Sequence, residues 1–147
     1  MHINHFKRRF LKNFNGIAFC SVIVTTCFEF YSSVISYETL LNIFWHNIDP
    51  FDDKGQFCDK GFAYTSVIFY NSEAQKTAAE NSKRIFEDLF HHPIATQILP
   101  ATLFVEAEEY HQNYKLKNPV RYNFYRWNCG RDKRLTEIWG EKTAHAK

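Results

Sequence analysis

The sequence has 147 residues, 45% of them hydrophobic, enough to bury one real core at the size of a single domain. Its 18 lysines and arginines nearly balance 16 aspartates and glutamates, so the net charge is +2. That balance argues against a dedicated nucleic-acid or polyanion binder, which carries a clustered basic excess. Five glycines and four prolines exclude the collagen-like and low-complexity classes. Cys20, Cys27, Cys58 and Cys129 form no Cys-x-x-Cys pair; they are too sparse for a disulfide scaffold and wrongly spaced for a structural zinc site.

The N-terminal thirty residues differ in character from the rest. Lys7, Arg8 and Arg9 precede an apolar stretch from Phe14 to Phe28, the outline of an export signal. The stretch is shorter than the roughly 20 residues of a membrane-spanning helix. No small-residue cleavage site follows it, and Phe19 before Cys20 spoils a lipoprotein-type cleavage. The second reading is a buried strand over 21–30, a segment rich in β-branched residues.

From Ser36 onward the pattern is locally consistent. Ser36 caps a helix with Glu38 in its first turn, and Leu40, Leu41, Phe44 and Trp45 recur at helical spacing until Asp49-Pro50 stops it. A polar loop over 51–60 follows, then a buried strand over 64–70. Asn71-Ser72 starts a second helix, with Ala78, Ala79, Ile85, Phe86 and Leu89 running toward His91-His92-Pro93. Thr96 to Val105 reads as a strand whose Pro100 demotes it to an edge or a bend. The last third is polar and aromatic, with a short helix over 132–139. Two helices packing one sheet predict a compact α+β sandwich.

The chemically densest stretch is Gln56-Phe57-Cys58-Asp59 followed by Tyr64. An Asp and a Tyr near a strand entrance can together accept and donate hydrogen bonds to a polar substrate atom; equally, the Asp can cap a turn and the Tyr fill the core. The charge of Asp59 discourages a thiolate at Cys58. Glu106, Glu108, Glu109, His111 and Gln112 form a second polar cluster, and Glu108, His111 and Gln112 could share one helical face. Two ligands are too few for a metal, so a solvated helix end is the expectation there, and a helix terminus at His91-His92. Arg121, Arg126, Arg131, Lys133 and Arg134 interleave with Tyr122, Phe124, Tyr125 and Trp127; arginines packed over rings suit the near-neutral charge better than base stacking. Cys129 lies in a tail that reads as loop, where exposure and neighbouring arginines favour a reactive thiol, although such a thiol needs a partner.

The chain resembles the A-type peptide methionine sulfoxide reductases over about Val34 to Gly140. The resemblance is carried in order by Val34 to Trp45 through Asp49-Pro50, Gly55-Gln56-Phe57-Cys58-Asp59, Tyr64 with Ser66, Ala107-Glu108-Glu109-Tyr110-His111-Gln112 and Lys117-Asn118-Pro119. It implies a two-layer sandwich of a mixed sheet with helices, ferredoxin-like, and incomplete here. It also implies reduction of the S epimer of methionine sulfoxide, in proteins or free, with no bound cofactor or metal. A low-pKa cysteine attacks sulfur, the resulting sulfenic acid becomes a disulfide with a second cysteine, and thioredoxin or another dithiol reduces that.

Asp59 and Tyr64 match the family's Asp-x-Gly-x-Gln-Tyr-Arg-Ser pattern, in which they polarise the sulfoxide oxygen, although Ala63 and Thr65 replace its Gln and Arg. Cys129 falls where many members keep a resolving cysteine. The Gly-Cys-Phe-Trp nucleophile motif is absent, and the family's catalytic glutamate would fall on Val24 in an ungapped alignment. The resemblance therefore divides the chain into a divergent segment over 1–33 and a reductase C-terminal part over 34–147, as in a truncated or frame-shifted product. Without the missing segment, a strand edge and an apolar helix face are expected to stand open. The resulting expectation is a catalytically impaired reductase homologue acting as a cytoplasmic monomer, with oxidised methionine and thioredoxin as partners and neither nucleic acid nor membrane. The alternatives are a non-catalytic module that binds methionine peptides, and an exported or membrane-associated protein.

Overall fold

The computed structural model describes residues 16–20, 25–102 and 107–140. Of the export-signal outline over 7–28, residues 7–15 and 21–24 lie outside the described residues, as do the end of the strand expected to reach Val105, and Glu106. Strands β1 (Gly16–Cys20) and β2 (Thr25–Glu29) pair antiparallel, with Cys20 opposite Thr25 and Gly16 opposite Glu29. β1 pairs on its other side with β5 (Val67–Tyr70), again antiparallel, and β5 pairs parallel with β6 (Gln97–Pro100). The sheet order is β2-β1-β5-β6, mixed in sense, with Pro100 closing an edge strand, where a missing N–H is tolerated. The edge of β5 that was expected to stand open is occupied by β1, supplied by the N-terminal segment itself.

Helix α1 (Tyr37–Trp45) begins where Ser36 Oγ accepts the Thr39 N–H at 3.1 Å. Helix α2 (Glu73–Phe90) begins where Ser72 Oγ accepts the Gln75 N–H, and ends at His91 in the left-handed region. α2 is the crossover that the parallel β5–β6 pair requires. Leu41, Trp45, Ile48, Ile68 and Ala79 are almost completely buried where α1 and α2 meet the sheet. Trp45 Nε1 donates to Ser82 Oγ at 3.0 Å, so the largest core side chain leaves no polar atom unbonded. The architecture is α+β, as expected.

Three regions depart from the expectation. The loop over 51–60 contains a hairpin, β3 (Gly55–Gln56) and β4 (Asp59–Lys60). Gly61, at φ 119°, opens a 3-10 turn over Phe62–Tyr64, so Tyr64 stands before the strand instead of in it. Two further helices, α3 (Tyr114–Lys117) and α4 (Pro119–Asn128), precede the expected C-terminal helix α5 (Arg131–Trp139). Pro119 at the start of α4 was the available signal, since proline suits that first position.

Candidate functional site

The β3–β4 hairpin is the platform of the site, and its shape is set by two residues. A Cβ at Gly55 would sit 2.0 Å from the Asp59 carbonyl oxygen, so only glycine permits this closeness of the two strands. Gln56 is fully buried; its Oε1 accepts the Asp49 N–H at 2.9 Å, and its Nε2 donates to Asp49 O at 2.8 Å and Gly55 O at 2.9 Å. Phe57 and Cys58 make the turn, Phe57 at a positive φ of 55° that non-glycine residues rarely adopt.

Three consecutive hairpin residues meet the α4–α5 region in reverse order. The Arg131 guanidinium lies over the Phe57 ring at 4.8 Å. Cys58 is joined to Cys129 by a disulfide with Cα atoms 5.1 Å apart, within the usual span for such a bond. Tyr125 donates a hydrogen bond to Asp59 Oδ2. Tyr125 and Cys129 can face one hairpin because they are a single helical turn apart, the Cys129 N–H donating to Tyr125 O at 2.9 Å. The Tyr125 phenol is pushed well above its ordinary range. Partial burial contributes most, followed by the bond to Asp59 and that residue's charge, then Tyr64, with Arg131 opposing.

Helix α5 holds this arrangement onto the core. Arg131 Nη2 donates to Asn47 O at 2.7 Å, and three residues on, Arg134 Nε donates to the buried Asp49 Oδ2 at 2.6 Å. Asp49 therefore ties the hairpin to α5 through Gln56 on one side and Arg134 on the other. Burial, before the charge of Arg126, lowers the Arg131 pKa.

The structure brings Asp59, Tyr64 and Cys129 to one locality, with Tyr125 and Arg131 added. It corrects the reading of the cysteines. Cys129 does not lie in a loop-like tail; it caps α4 at a helix–helix junction, and Cys58 supplies the partner that the spacing concealed across 71 residues. Glu108, His111 and Gln112 form turns, with His111 N–H to Glu108 O at 2.9 Å, and share no helix. Arginine packing over rings is realised at Arg131, whereas Phe124 and Trp127 stay exposed. Among the described residues no cluster could hold a metal, and no helix is long and apolar enough to cross a membrane. An open recess of about 330 Å³ on α2, lined by Glu80, Lys83, Arg84 and Glu87, includes none of these groups.

The model of the family described as peptide methionine sulfoxide reductase matches residues 23–143. The chain belongs to this family. It is 48% identical over 115 residues to peptide methionine sulfoxide reductase MsrA of Bacillus subtilis, covering 77% of this chain and 65% of that relative. It is 43% identical over 113 residues to MsrA 2 of Staphylococcus aureus, covering 76% and 64%. This member of the reductase family thus spans a little under two thirds of the curated relatives it matches. Among solved structures, reduced Mxr1 of Saccharomyces cerevisiae superposes with a TM-score of 0.59 at 33% identity, over 65% of this chain and 52% of that one. Methionine sulfoxide reductase A of Corynebacterium diphtheriae shares the fold, with a TM-score of 0.53 at 20% identity over 71% and 63%.

Proposed function

We propose that this chain binds methionine S-sulfoxide, in oxidised proteins or free, as a member of the peptide-methionine (S)-S-oxide reductases, with Asp59 and Tyr64 holding the substrate. The observation that carries this reading is the group formed by Asp59, Tyr64 and Tyr125 at the mouth of the hairpin, in a chain of this family. A sulfoxide oxygen only accepts hydrogen bonds, so it needs a donor, and the Tyr64 O–H supplies one. Asp59, steadied by Tyr125, keeps lone pairs for the amide N–H groups of a bound peptide. Electrons for a reductive cycle come from an external dithiol such as thioredoxin, and no metal or prosthetic group takes part. The protein acts as a cytoplasmic monomer.

The sequence contains no Gly-Cys-Phe-Trp. We therefore expect the 147-residue chain to bind the sulfoxide without reducing it. The test is calorimetric titration with a short peptide carrying the S epimer, alongside a turnover assay with dithiothreitol. Binding of the S but not the R epimer, lost in Asp59→Ala and Tyr64→Phe, is the expected outcome. Absence of binding refutes the site, and dithiothreitol-driven turnover refutes the expectation of impairment.

A further inference from the structure

We infer that Cys58 and Cys129 form an exchangeable redox couple, a second sulfur centre whose substrate is an external thiolate attacking Cys58 Sγ. This goes beyond sulfoxide binding and does not rest on it, because it is carried by the disulfide and its neighbours alone. The bond lies at the surface: Cys58 occupies an exposed hairpin turn, while Cys129 is half-buried at the α4–α5 junction. An incoming thiolate therefore reaches Cys58 first, and Cys129 becomes the leaving group.

The surroundings favour that direction of cleavage. Cys129 is the C-cap of α4, whose carbonyl end opposes an anion, and it precedes the N-cap Gly130 of the nine-residue helix α5, whose dipole favours one, so the two helix ends offset each other and the charge of Arg131 decides. The Arg131 guanidinium rests on Phe57, the residue before Cys58, so a fixed positive charge stands beside the bond. Thiolates leave faster when their pKa is depressed by such neighbours.

The exchange balances as follows. The attacking thiolate of a dithiol forms a bond to Cys58 Sγ while the Cys58–Cys129 bond breaks and its electron pair departs with Cys129 Sγ. The second thiol of the reagent then attacks its own sulfur in the mixed disulfide and expels the Cys58 thiolate. The two cysteines gain two electrons and two protons, and the dithiol becomes a cyclic disulfide. Cleavage removes the only covalent rung between hairpin and helices among the described residues, leaving Asp59–Tyr125, Phe57–Arg131 and the Gln56–Asp49–Arg134 tie to hold the hairpin.

The experiment uses the full chain, alkylated without reductant and digested with trypsin. The pair should appear as Gly55–Lys60 linked to Trp127–Arg131. In native buffer, dithiothreitol should abolish that species at a rate within about tenfold of its rate in urea, and oxidised glutathione should restore it. Glutathione trapped during reduction should sit on the Cys58 peptide in at least about tenfold excess over the Cys129 peptide. The proposal is overturned if the linked species is never found, if native reduction falls short of that rate, if oxidation fails to restore the link, or if the adduct falls below that excess. None of these readouts depends on sulfoxide binding, so either conclusion can fail alone.

Discussion

Replacing Gln56 by Glu tests whether one buried amide organises the site. The side chain is fully buried, and its Nε2 donates two bonds, at 2.8 Å to Asp49 O and 2.9 Å to Gly55 O. A carboxylate there faces two carbonyl oxygens with no donor of its own. Losing two buried bonds at about 1 kcal/mol each, and burying a charge beside two acceptors, gives an expected loss of about 3–5 kcal/mol at pH 7. The substituted carboxyl escapes much of this by keeping its proton, so its pKa in the fold rises above the roughly 4.3 of an unfolded glutamate. A raised folded pKa means stability that is present below the unfolded value and lost as pH rises through the folded one. The deficit of Gln56→Glu relative to the parent should therefore be larger at pH 7 than at pH 4. The deficit of Gln56→Leu, which also loses the bonds, should not change with pH. Urea unfolding followed by tryptophan fluorescence measures both. A deficit under about 0.5 kcal/mol at pH 7, or one flat with pH, refutes the claim that the amide does this organising.

Other substitutions probe the remaining ties. The disulfide closes a separation of 71 residues, so on the chain-entropy account the oxidised parent should exceed Cys58→Ser/Cys129→Ser by about 4 kcal/mol in urea unfolding; a difference below about 1 kcal/mol would contradict it. Gly55→Ala drives a Cβ into the Asp59 carbonyl and should cost about 3 kcal/mol or more, with at least a tenfold loss of sulfoxide-peptide affinity; unchanged affinity would show that the hairpin does not position Asp59. The Tyr37 hydroxyl is buried with no hydrogen-bond partner among the described residues, so Tyr37→Phe should raise stability by about 1 kcal/mol at pH 7. Burial, then the charge of Glu38, pushes that phenol from 10.0 to about 12. Its contribution is complete below pH 10 and lost as pH rises toward 12, a decline of about 2–3 kcal/mol that Tyr37→Phe should abolish in urea unfolding across that range.

The elements legible in the sequence are those whose signals are local. Ser36 and Ser72 mark α1 and α2 because a capping hydroxyl acts within its own turn, and the apolar spacing of Leu41, Phe44 and Trp45 reports a face that the core does cover. The β3–β4 hairpin was not legible. Its turn residue Phe57 takes a conformation that glycine or asparagine normally advertises, and the bonds that hold it there come from Gln56 to Asp49, seven residues away. α4 was hidden because its apolar residues Val120, Phe124 and Trp127 face outward, so periodicity reported no core contact. In the candidate site, Asp59 and Tyr64 could be named from a short motif, whereas Tyr125 and the Cys58–Cys129 bond depend on a tertiary approach that no local spacing encodes.

The hydroxyls of Ser66 and Thr96 lie 2.8 Å apart in the interior, immediately before β5 and β6. The parallel ladder that follows has Ile68 opposite Ile98 and Phe69 opposite Leu99, apolar pairs that would tolerate more than one alignment. The hydroxyl pair does not tolerate a slide. Shifting β6 by one position would separate the two oxygens, strand each among hydrocarbon, and turn the half-buried Ile98 away from the core it packs against. A single polar contact thus acts as an indexing pin that selects one alignment from a set of near-equivalent hydrophobic ones, and it does so between residues 30 apart in the chain, at the matching N-terminal ends of the two parallel strands.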